Sequence, residues 1–381
     1  MQSKFYDVAV VGAGVFGAWT AYQLNRAGAS VLLLDAYGPG NSRSSSGGES
    51  RILRLGYGPD EIYTRSAQRS YRMWQEFFAG CEIAAPLFNR TSVLWLAREP
   101  DAYCEATLKN LQMVGARCER LDQSQLNEQF PQLNFDGVDW GIREEDAGVL
   151  MGRRVVQAVA AQACANGVDY LPQAAIAPIK DQNIETNLGT PIHAGQFVFA
   201  CGPWLPKLFP ELLDGRIHVT RQEVFFFGVP PGDHFKPPRL PTWIDFNDLV
   251  YGLPNLEGRG LKLASDTHGP EFDPDRGERI VSADSIRAIR QYLARRIPLL
   301  LNAPITETRV CQYENTSNGD FLIDRHPELE NVWLVGGGSG HGFKHGPAVG
   351  EYVAAMIAGS GQAEPRFSLA SKARVQQRAV F

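Results

Sequence analysis

The sequence predicts an α/β protein in which two lobes are interleaved along the chain. Three observations indicate this class. A valine-rich run at residues 6–11 leads into a glycine-rich turn and a helical segment, and residues 30–35 form a second apolar run. Continuous apolar runs of this length are typical of buried parallel strands. A third run, at residues 331–335, meets another glycine-rich turn, so we expect segments far apart in the chain to share one sheet.

The composition is that of an ordinary globular protein, and it excludes several functions. The chain has 381 residues, of which 44% are hydrophobic and 21% charged, with a net charge of -5. This length allows two domains or one two-lobed unit. The acidic balance gives no reason to expect binding to nucleic acid or to an acidic membrane surface. Neither a transmembrane run nor a secretory leader is visible, so we predict a cytoplasmic protein.

The cysteines are scattered, without a CxxC pair or the spacing of a metal site. They are Cys81, Cys104, Cys118, Cys164, Cys201 and Cys311. This arrangement is typical of reduced thiols in a cytosolic protein, and we predict no metal site.

The first strand, helix and second strand carry a dinucleotide-binding motif. The letters GAGVFG form a GxGxxG between the strand and the helix, and the second strand ends on Asp35. Gly12 permits the tight turn, Gly14 lets the backbone approach a diphosphate, and Gly17 lets the helix pack on the strand. Phe16 lies in the same turn, where the helix N-terminus offers free N–H donors. Asp35 suits ribose hydroxyls and argues against NADP, so the motif predicts a Rossmann-type lobe.

Three later segments favour FAD over NAD. The second strand leads into a polar Gly/Ser loop, residues 38–50, where NAD dehydrogenases usually have another βα unit; Ser45 lies in this loop. The buried strand that begins at residue 196 and the last strand, residues 331–335, both lead into glycines. The final helix, residues 347–357, brings a positive helix end to the cofactor. The glycines expected at FAD are Gly202, Gly338, Gly340 and Gly342. A disordered surface loop at residues 38–50 and an NAD dehydrogenase are the alternatives.

Four blocks of the sequence, taken in order, resemble one family of flavoenzymes. They are VGAGVFG, SSGGESRILRLGYG, YGLPNLEGRGLKLASDTHG, and CQYENTSNGDFLIDRHP with GGGSGHGFKHGP. They resemble the monomeric sarcosine oxidase and N-methyltryptophan oxidase family of FAD-dependent amine oxidases over nearly the whole chain. The resemblance implies a D-amino-acid-oxidase-like fold, in which a Rossmann-type FAD lobe is interleaved with a mixed-sheet substrate lobe.

The resemblance also implies boundaries and a reaction. We expect the FAD lobe at residues 1–85, 150–215 and 318–381, and the substrate lobe at residues 86–149 and 216–317. The implied reaction oxidises the C–N bond of a secondary or N-methylated amino acid. The product is an imine that hydrolyses, while dioxygen is reduced to hydrogen peroxide. The resemblance implies a monomer.

Individual site residues follow from the resemblance. Cys311 matches the cysteine that bonds covalently to FAD, although the residue alone is equally a free buried thiol. Arg54 and Lys344 resemble the pair that binds a substrate carboxylate. A planar guanidinium can donate two hydrogen bonds to a carboxylate, and the lysine adds a second positive charge. Lys262 resembles the lysine that promotes reaction with dioxygen. The other implied residues are Arg51 and His341 near the flavin, and Tyr251 and Tyr313 in the substrate pocket. The alternatives are that Arg54 is a surface arginine, that Lys262 is a lysine on a strand face, and that the two tyrosines are core residues.

One position departs from the family pattern. Asp266 stands where sarcosine-type enzymes have a histidine, and an acid there favours a more cationic substrate. Two other functions stay open from the sequence. One is an FAD-dependent amino-acid dehydrogenase that passes electrons to an acceptor other than dioxygen, and the other is a flavin-binding protein without catalytic activity.

Overall fold

A computed structural model describes residues 4–81, 85–180 and 183–377. The strands in chain order are β1 (Phe5–Val11), β2 (Val31–Leu34), β3 (Arg51–Leu53), β4 (Phe88–Asn89), β5 (Val93–Ala97), β6 (Cys118–Asp122), β7 (Trp140–Glu144), β8 (Gly148–Leu150), β9 (Asp169–Leu171), β10 (Ala175–Lys180), β11 (Asn183–Thr186), β12 (Pro191–Phe199), β13 (Ile217–Phe227), β14 (Thr242–Asp245), β15 (Val250–Leu253), β16 (Leu261–Ser265), β17 (Ile305–Thr316), β18 (Leu322–Arg325) and β19 (Val332–Gly336).

The helices pack around the sheets that these strands form. They are α1 (Val15–Arg26), α2 (Glu61–Ala79), α3 (Ala102–Met113), α4 (Gln123–Gln129), α5 (Gly152–Ala165), α6 (Leu205–Leu208), α7 (Pro210–Leu213), α8 (Ala283–Arg296) and α9 (Gly346–Ile357). In the described ranges, no helix combines the length and the apolar character needed to cross a bilayer.

The first sheet has the parallel centre that the apolar runs predicted. Strands β9, β2, β1, β12 and β19 lie side by side and parallel. Its members come from the beginning, middle and end of the chain, as expected for an interleaved lobe. Strand β18 adds antiparallel to β19, and β11 with β10 extends the first half of β12. Helices α1, α5 and α9 pack on this sheet and on each other, so the α/β prediction is confirmed.

The glycine turn between β1 and α1 is set by close backbone contacts. Gly12 has a φ of 102°, and a Cβ atom there would lie 2.4 Å from the carbonyl oxygen of Ala200. A Cβ atom on Gly17 would lie 1.8 Å from the carbonyl oxygen of Gly12. A side chain on Gly12 would therefore clash with the backbone after β12, and one on Gly17 would push α1 away from the turn, because these distances are far inside van der Waals contact.

The second sheet is mainly antiparallel and carries its own hydrophobic core. Its strand order is β17-β13-β16-β15-β14-β5-β7-β6, and only the β14–β5 pair is parallel. Helices α4 and α8 pack on it. A small third sheet, β3-β8-β4, joins the loop after β2 to the segment before α5. The residue boundaries of the two lobes stay a prediction.

Long-range hydrogen bonds hold the Gly/Ser loop at residues 38–50 against the body of the protein. Arg309 Nη2 donates to Ser42 O at 2.9 Å, and Gln312 Nε2 donates to Arg43 O at 2.6 Å. Both donors come from β17, so the strand that closes the second sheet also positions this loop over the first sheet.

Candidate active site

A cavity of about 350 Å³ opens at the carboxyl ends of the parallel strands. Its wall includes Val11 at the end of β1, Asp35 just after β2, and Ala200 just after β12. Ligand sites in open parallel sheets form at this edge, where strand order changes. Most residues predicted to bind the cofactor line it: Gly12, Gly14, Phe16, Asp35, Ser45, Arg51, Gly202, Cys311, Gly338, Gly340 and Gly342.

The cavity has the features of a site for a dinucleotide. Helix α1 begins at its wall, and Gly14 at the N-cap position supplies no capping side chain. The positive end of the helix at this wall therefore suits an anion such as a diphosphate. Gly340 and Gly342 leave room for neighbouring aromatic rings at the cavity wall, because a Cβ atom on them would lie 2.7 Å from the Tyr313 ring and 2.8 Å from the Phe16 ring. These features fit FAD.

Two predicted residues have structural contacts of their own. The Asp35 carboxylate accepts hydrogen bonds from the backbone N–H groups of Ala13, Tyr37 and Gly38, each at 2.8 Å, so it holds the glycine turn against the next loop. Burial raises the pKa of Asp35. Gly17 lies behind the turn and allows α1 to pack closely.

Besides the predicted Ser45, its neighbour Ser46 also contributes to this region. Ser46 Oγ accepts a hydrogen bond from the Val15 N–H at 3.0 Å, whereas Ser45 Oγ donates to Gln312 O at 3.0 Å. Both serines line the cavity. The sequence contains three serines in a row, and nothing in their pattern indicates which one lies at the helix N-terminus.

A second cavity of about 110 Å³ adjoins the first. The two share Arg51, Cys311, Tyr313 and Phe343 as lining residues. The second cavity also brings together the residues predicted from widely separated blocks: Arg54, Tyr251, Lys262, Asp266, His341 and Lys344. It is therefore the candidate substrate site.

Two buried basic residues, Arg54 and Lys344, line the second cavity. Arg54 donates to the carbonyl oxygen of Gly56, and its guanidinium lies 4.5 Å from the centre of the Tyr57 ring and 4.8 Å from that of Trp95. Lys344 Nζ donates to Tyr57 Oη at 2.7 Å. Burial, followed by repulsion from Arg54, lowers the pKa of Lys344 well below its usual value. An anion in the cavity would favour the charged form, because its attraction for the ammonium opposes both effects.

A hydrogen-bond network behind these cations was not predicted from the sequence. Tyr57 Oη contacts His345 Nε2 at 2.7 Å, and Ser66 Oγ contacts His345 Nδ1 at 2.9 Å. His341 Nδ1 also lies 3.1 Å from Tyr57 Oη. Burial lowers the pKa of His345 well below its usual value, with Lys344 and Arg54 adding to the effect. A neutral His345 can accept a hydrogen bond from Tyr57 while Tyr57 accepts one from Lys344, which fixes the ammonium in place.

A buried glutamate fixes the loop that carries Arg54, and it too was missed. Glu144 accepts hydrogen bonds from the N–H groups of Leu55 at 2.8 Å and Gly56 at 3.2 Å, and from Trp95 Nε1 at 2.6 Å. Burial raises the pKa of Glu144, and its hydrogen bonds and the Arg54 charge oppose that shift. Glu144 lies on β7, far from any motif, so only its burial and its partners reveal this role.

A third buried basic residue, Lys262, also lines the second cavity. Lys262 Nζ donates to Ser50 O at 3.0 Å and to Ser50 Oγ at 3.2 Å. Burial, and next the charge of Arg51, lower the pKa of Lys262 well below its usual value. Arg51 donates to Ser45 O at 2.5 Å, and its Nη2 atom lies 3.8 Å from the sulfur of Cys311. Cys311 is buried and its thiol is not in a disulfide.

Asp266 places a carboxylate in the same cavity as the cations. It accepts a hydrogen bond from Tyr313 Oη at 3.0 Å. Burial raises the pKa of Asp266, whereas the Tyr313 hydrogen bond and the charges of Arg54 and Lys344 oppose the shift. Tyr251 also lines the cavity, and the enclosure of its hydroxyl raises its pKa. The cavity therefore presents both charge signs to a ligand.

Comparison with known proteins identifies the family. Residues 7–356 match the family model described as DAO: FAD dependent oxidoreductase. The chain is 31% identical over 380 residues to monomeric sarcosine oxidase of Bacillus sp. (strain B-0618), with 97% of this chain and 96% of the relative covered. It is 29% identical to N-methyl-L-tryptophan oxidase of Salmonella heidelberg (strain SL476), with 96% and 97% covered.

Solved structures support the same fold. L-proline dehydrogenase from P. horikoshii superimposes with a TM-score of 0.83 at 22% identity, covering 96% of this chain and 97% of that chain. Fructosyl peptide oxidase from E. terrenum gives a TM-score of 0.83 at 22% identity, covering 98% and 95%. The expected resemblance and fold are confirmed, and the NAD-dehydrogenase alternative is wrong. The chain belongs to the DAO family of FAD dependent oxidoreductases.

Proposed function

We propose that the enzyme oxidises the C–N bond of a secondary or N-methylated amino acid that carries a free carboxylate, with dioxygen as the electron acceptor. The observation that carries the proposal is the second cavity, where Arg54, Lys344 and Asp266 face one space beside the larger cavity. This charge pattern complements an amino-acid zwitterion. The names of the Bacillus and Salmonella relatives, which include sarcosine and N-methyl-L-tryptophan oxidases, support the same substrate class.

The larger cavity would hold FAD, with the diphosphate at the N-terminus of α1 and the redox-active ring toward the cavity shared with Arg51 and Cys311. Bound there, FAD supplies an acceptor for the two electrons of the C–N bond and a donor for dioxygen. The protein contributes mainly orientation and charge placement. A binding protein without catalytic activity would have no use for the buried pair Arg54 and Lys344, which argues against that alternative.

Arg54 and Lys344 would bind the substrate carboxylate. A guanidinium can donate two parallel hydrogen bonds to a carboxylate, and the ammonium adds a second charge from a different direction. Tyr57 and Trp95 limit the rotation of Arg54, and Tyr57 with His345 fixes Lys344. The carboxylate would therefore determine how the amine is oriented in the cavity.

Asp266 would receive the substrate amine. An amino acid enters as an ammonium ion, but the nitrogen must lose a proton before a hydride equivalent can leave the adjacent carbon. Asp266 can pair with the ammonium and then accept that proton. Loss of the proton and the hydride converts the substrate into a protonated imine, which water hydrolyses. The raised pKa of Asp266 suits the acceptance of a proton in this step.

Cys311 would attach FAD covalently through its sulfur and the methyl carbon of the benzenoid ring. The thiol hydrogen and one methyl hydrogen leave with two electrons, and dioxygen takes them up as hydrogen peroxide. The thiolate is the reactive form of cysteine, and Arg51 places positive charge 3.8 Å from the sulfur. That the enzyme is monomeric and cytoplasmic stays a prediction.

Replacing Arg54 by Gln tests the substrate class. We expect kcat/KM for an N-methyl amino acid to fall by about 10- to 100-fold, because a hydrogen-bonded ion pair contributes about 1.5–3 kcal/mol. The same variant should oxidise the corresponding amine without a carboxylate nearly as well as the natural enzyme. Steady-state peroxide assays with both substrates give the ratio. Arg295→Gln, an exposed arginine paired with Asp248, is the control; equal losses on both substrates would refute the carboxylate role.

Replacing Asp266 by Asn tests the proton acceptor. The raised pKa means that Asp266 stays protonated to a higher pH than usual, so kcat/KM should rise as the pH rises through that pKa. In the variant this acidic limb should disappear, while the limb set by the substrate amine remains, and the rate at neutral pH should fall about 100-fold. A variant profile that retains the acidic limb would exclude this role. Asp136→Asn changes an exposed acid and serves as the control.

Replacing Lys262 by Met tests whether dioxygen is the electron acceptor. A fixed cation favours the formation of superoxide charge in an enclosed site, so reoxidation of the reduced enzyme by dioxygen should slow by about 100- to 1,000-fold. Anaerobic reduction by substrate should change little, and stopped-flow absorbance separates the two steps. An unchanged reoxidation rate would contradict the role of Lys262. If the natural enzyme reduces a quinone analogue but produces no peroxide, the dehydrogenase alternative is correct.

Replacing Cys311 by Ser tests covalent attachment. The natural enzyme should keep its yellow colour on the polypeptide after acid precipitation, whereas Cys311→Ser should release it into the supernatant. Cys201→Ser is a matched control, because Cys201 also lines the larger cavity and should not affect the bond. Colour that leaves the natural protein in acid, or stays on Cys311→Ser, would disprove the attachment.

A further inference from the structure

Glu314 lies at the larger cavity and has no role in the chemistry described above. It follows Tyr313 on β17, and its side chain is buried, with 8% of its surface exposed. One carboxylate oxygen, Oε1, accepts a hydrogen bond from the Gly338 N–H at 3.3 Å. The other, Oε2, has no hydrogen-bond partner among the described residues. A buried acceptor without a partner costs free energy, so this atom points to a ligand group.

Two glycines border the Glu314 carboxylate. A Cβ atom on Gly336 would lie 3.2 Å from Oε2, and one on Gly202 would lie 3.7 Å from it. Both positions are glycine, so no side chain covers the free oxygen from these directions. Among the ion pairs that described residues form, none includes Glu314. The Glu314 side chain is therefore buried at the wall of the larger cavity, and no ion pair among the described residues neutralises it.

The chemistry of the carboxylate selects the part of the cofactor that it can bind. The diphosphate offers only acceptors and negative charge, and it is expected at the N-terminus of α1. The adenosine ribose is expected beside Asp35, at the end of β2. The polyol chain that joins the flavin ring to the diphosphate carries hydroxyl donors, and a carboxylate oxygen accepts from them without a charge penalty.

We propose that Glu314 is a further FAD-binding residue, whose Oε2 atom accepts a hydrogen bond from a hydroxyl of the ribityl chain. Burial raises the pKa of Glu314 to about 7, and a hydroxyl donor would stabilise its ionised form. The inference depends on FAD as the cofactor, which family membership shows, and is independent of the proposed substrate and electron acceptor.

Equilibrium binding of FAD to the full-length apoprotein tests the proposal. Every variant carries Cys311→Ala as a common background, so that binding is reversible, and dissociation constants are measured by flavin fluorescence. The ligands are FAD and FAD analogues that each lack one ribityl hydroxyl. Glu314→Ala should weaken the binding of FAD about tenfold, the effect of one hydrogen bond to a charged group. Glu314→Gln keeps an acceptor oxygen and should recover most of the affinity.

One analogue should reveal the contact. When it lacks the hydroxyl that Glu314 binds, the Glu314→Ala protein and its parent should bind it equally, within about twofold. Asp275→Ala is a matched control, because Asp275 lines the same cavity but already pairs with Lys207 at 2.6 Å. If Glu314→Ala weakens the binding of every analogue by the same factor, the role of Glu314 is purely structural and the proposal is overturned. Tighter binding of FAD by Glu314→Gln would place the carboxylate beside the diphosphate and would also overturn it.

Discussion

The burial of positive charge beside the cofactor cavity is the constraint on which the site depends. Arg54, Lys344 and Lys262 are each at least nine-tenths buried, and burying a cation is costly unless its charge and its donors are matched. The protein meets this cost with neutral acceptors. Arg54 uses a carbonyl oxygen and two aromatic faces, Lys344 a tyrosine, and Lys262 a serine. The pKa values of both lysines are low because burial penalises their charged forms, with Arg51 adding to the effect on Lys262 and Arg54 adding to the effect on Lys344.

Strand β17 connects this electrostatic arrangement to the fold. Successive side chains of a strand point to opposite faces, so Cys311 and Tyr313 reach the second cavity while Gln312 and Glu314 border only the larger one. The same strand pairs with β13 along the second sheet and donates hydrogen bonds to the loop at residues 38–50. One strand thus sets the position of the covering loop, the candidate attachment thiol and the tyrosine that contacts Asp266.

Positioning residues show why the catalytic motifs alone are an incomplete description. Glu144 on β7 holds the loop of Arg54, and His345 holds Tyr57, which in turn holds Lys344. Glu144 lies outside the four blocks and His345 lies inside the last one, yet neither role was predicted, because a buried acid and a buried histidine look the same in sequence as exposed ones. Their effect comes from low solvent exposure, which strengthens each hydrogen bond and makes an unpaired group costly.

The sequence by itself determined the class of fold, the dinucleotide site and the family, because glycine spacing and apolar runs are local signals that one segment carries alone. The resemblance also identified Arg54, Lys262 and Lys344 as candidate site residues. Only the tertiary structure decided that these residues share one cavity with Asp266, that Ser46 and not Ser45 lies at the helix N-terminus, and that Glu314 retains a free oxygen. The physical reason is that such contacts join different elements of the chain, from 24 positions apart for Glu314 and Gly338 to 287 for Tyr57 and Lys344, and their burial depends on every element packed around them.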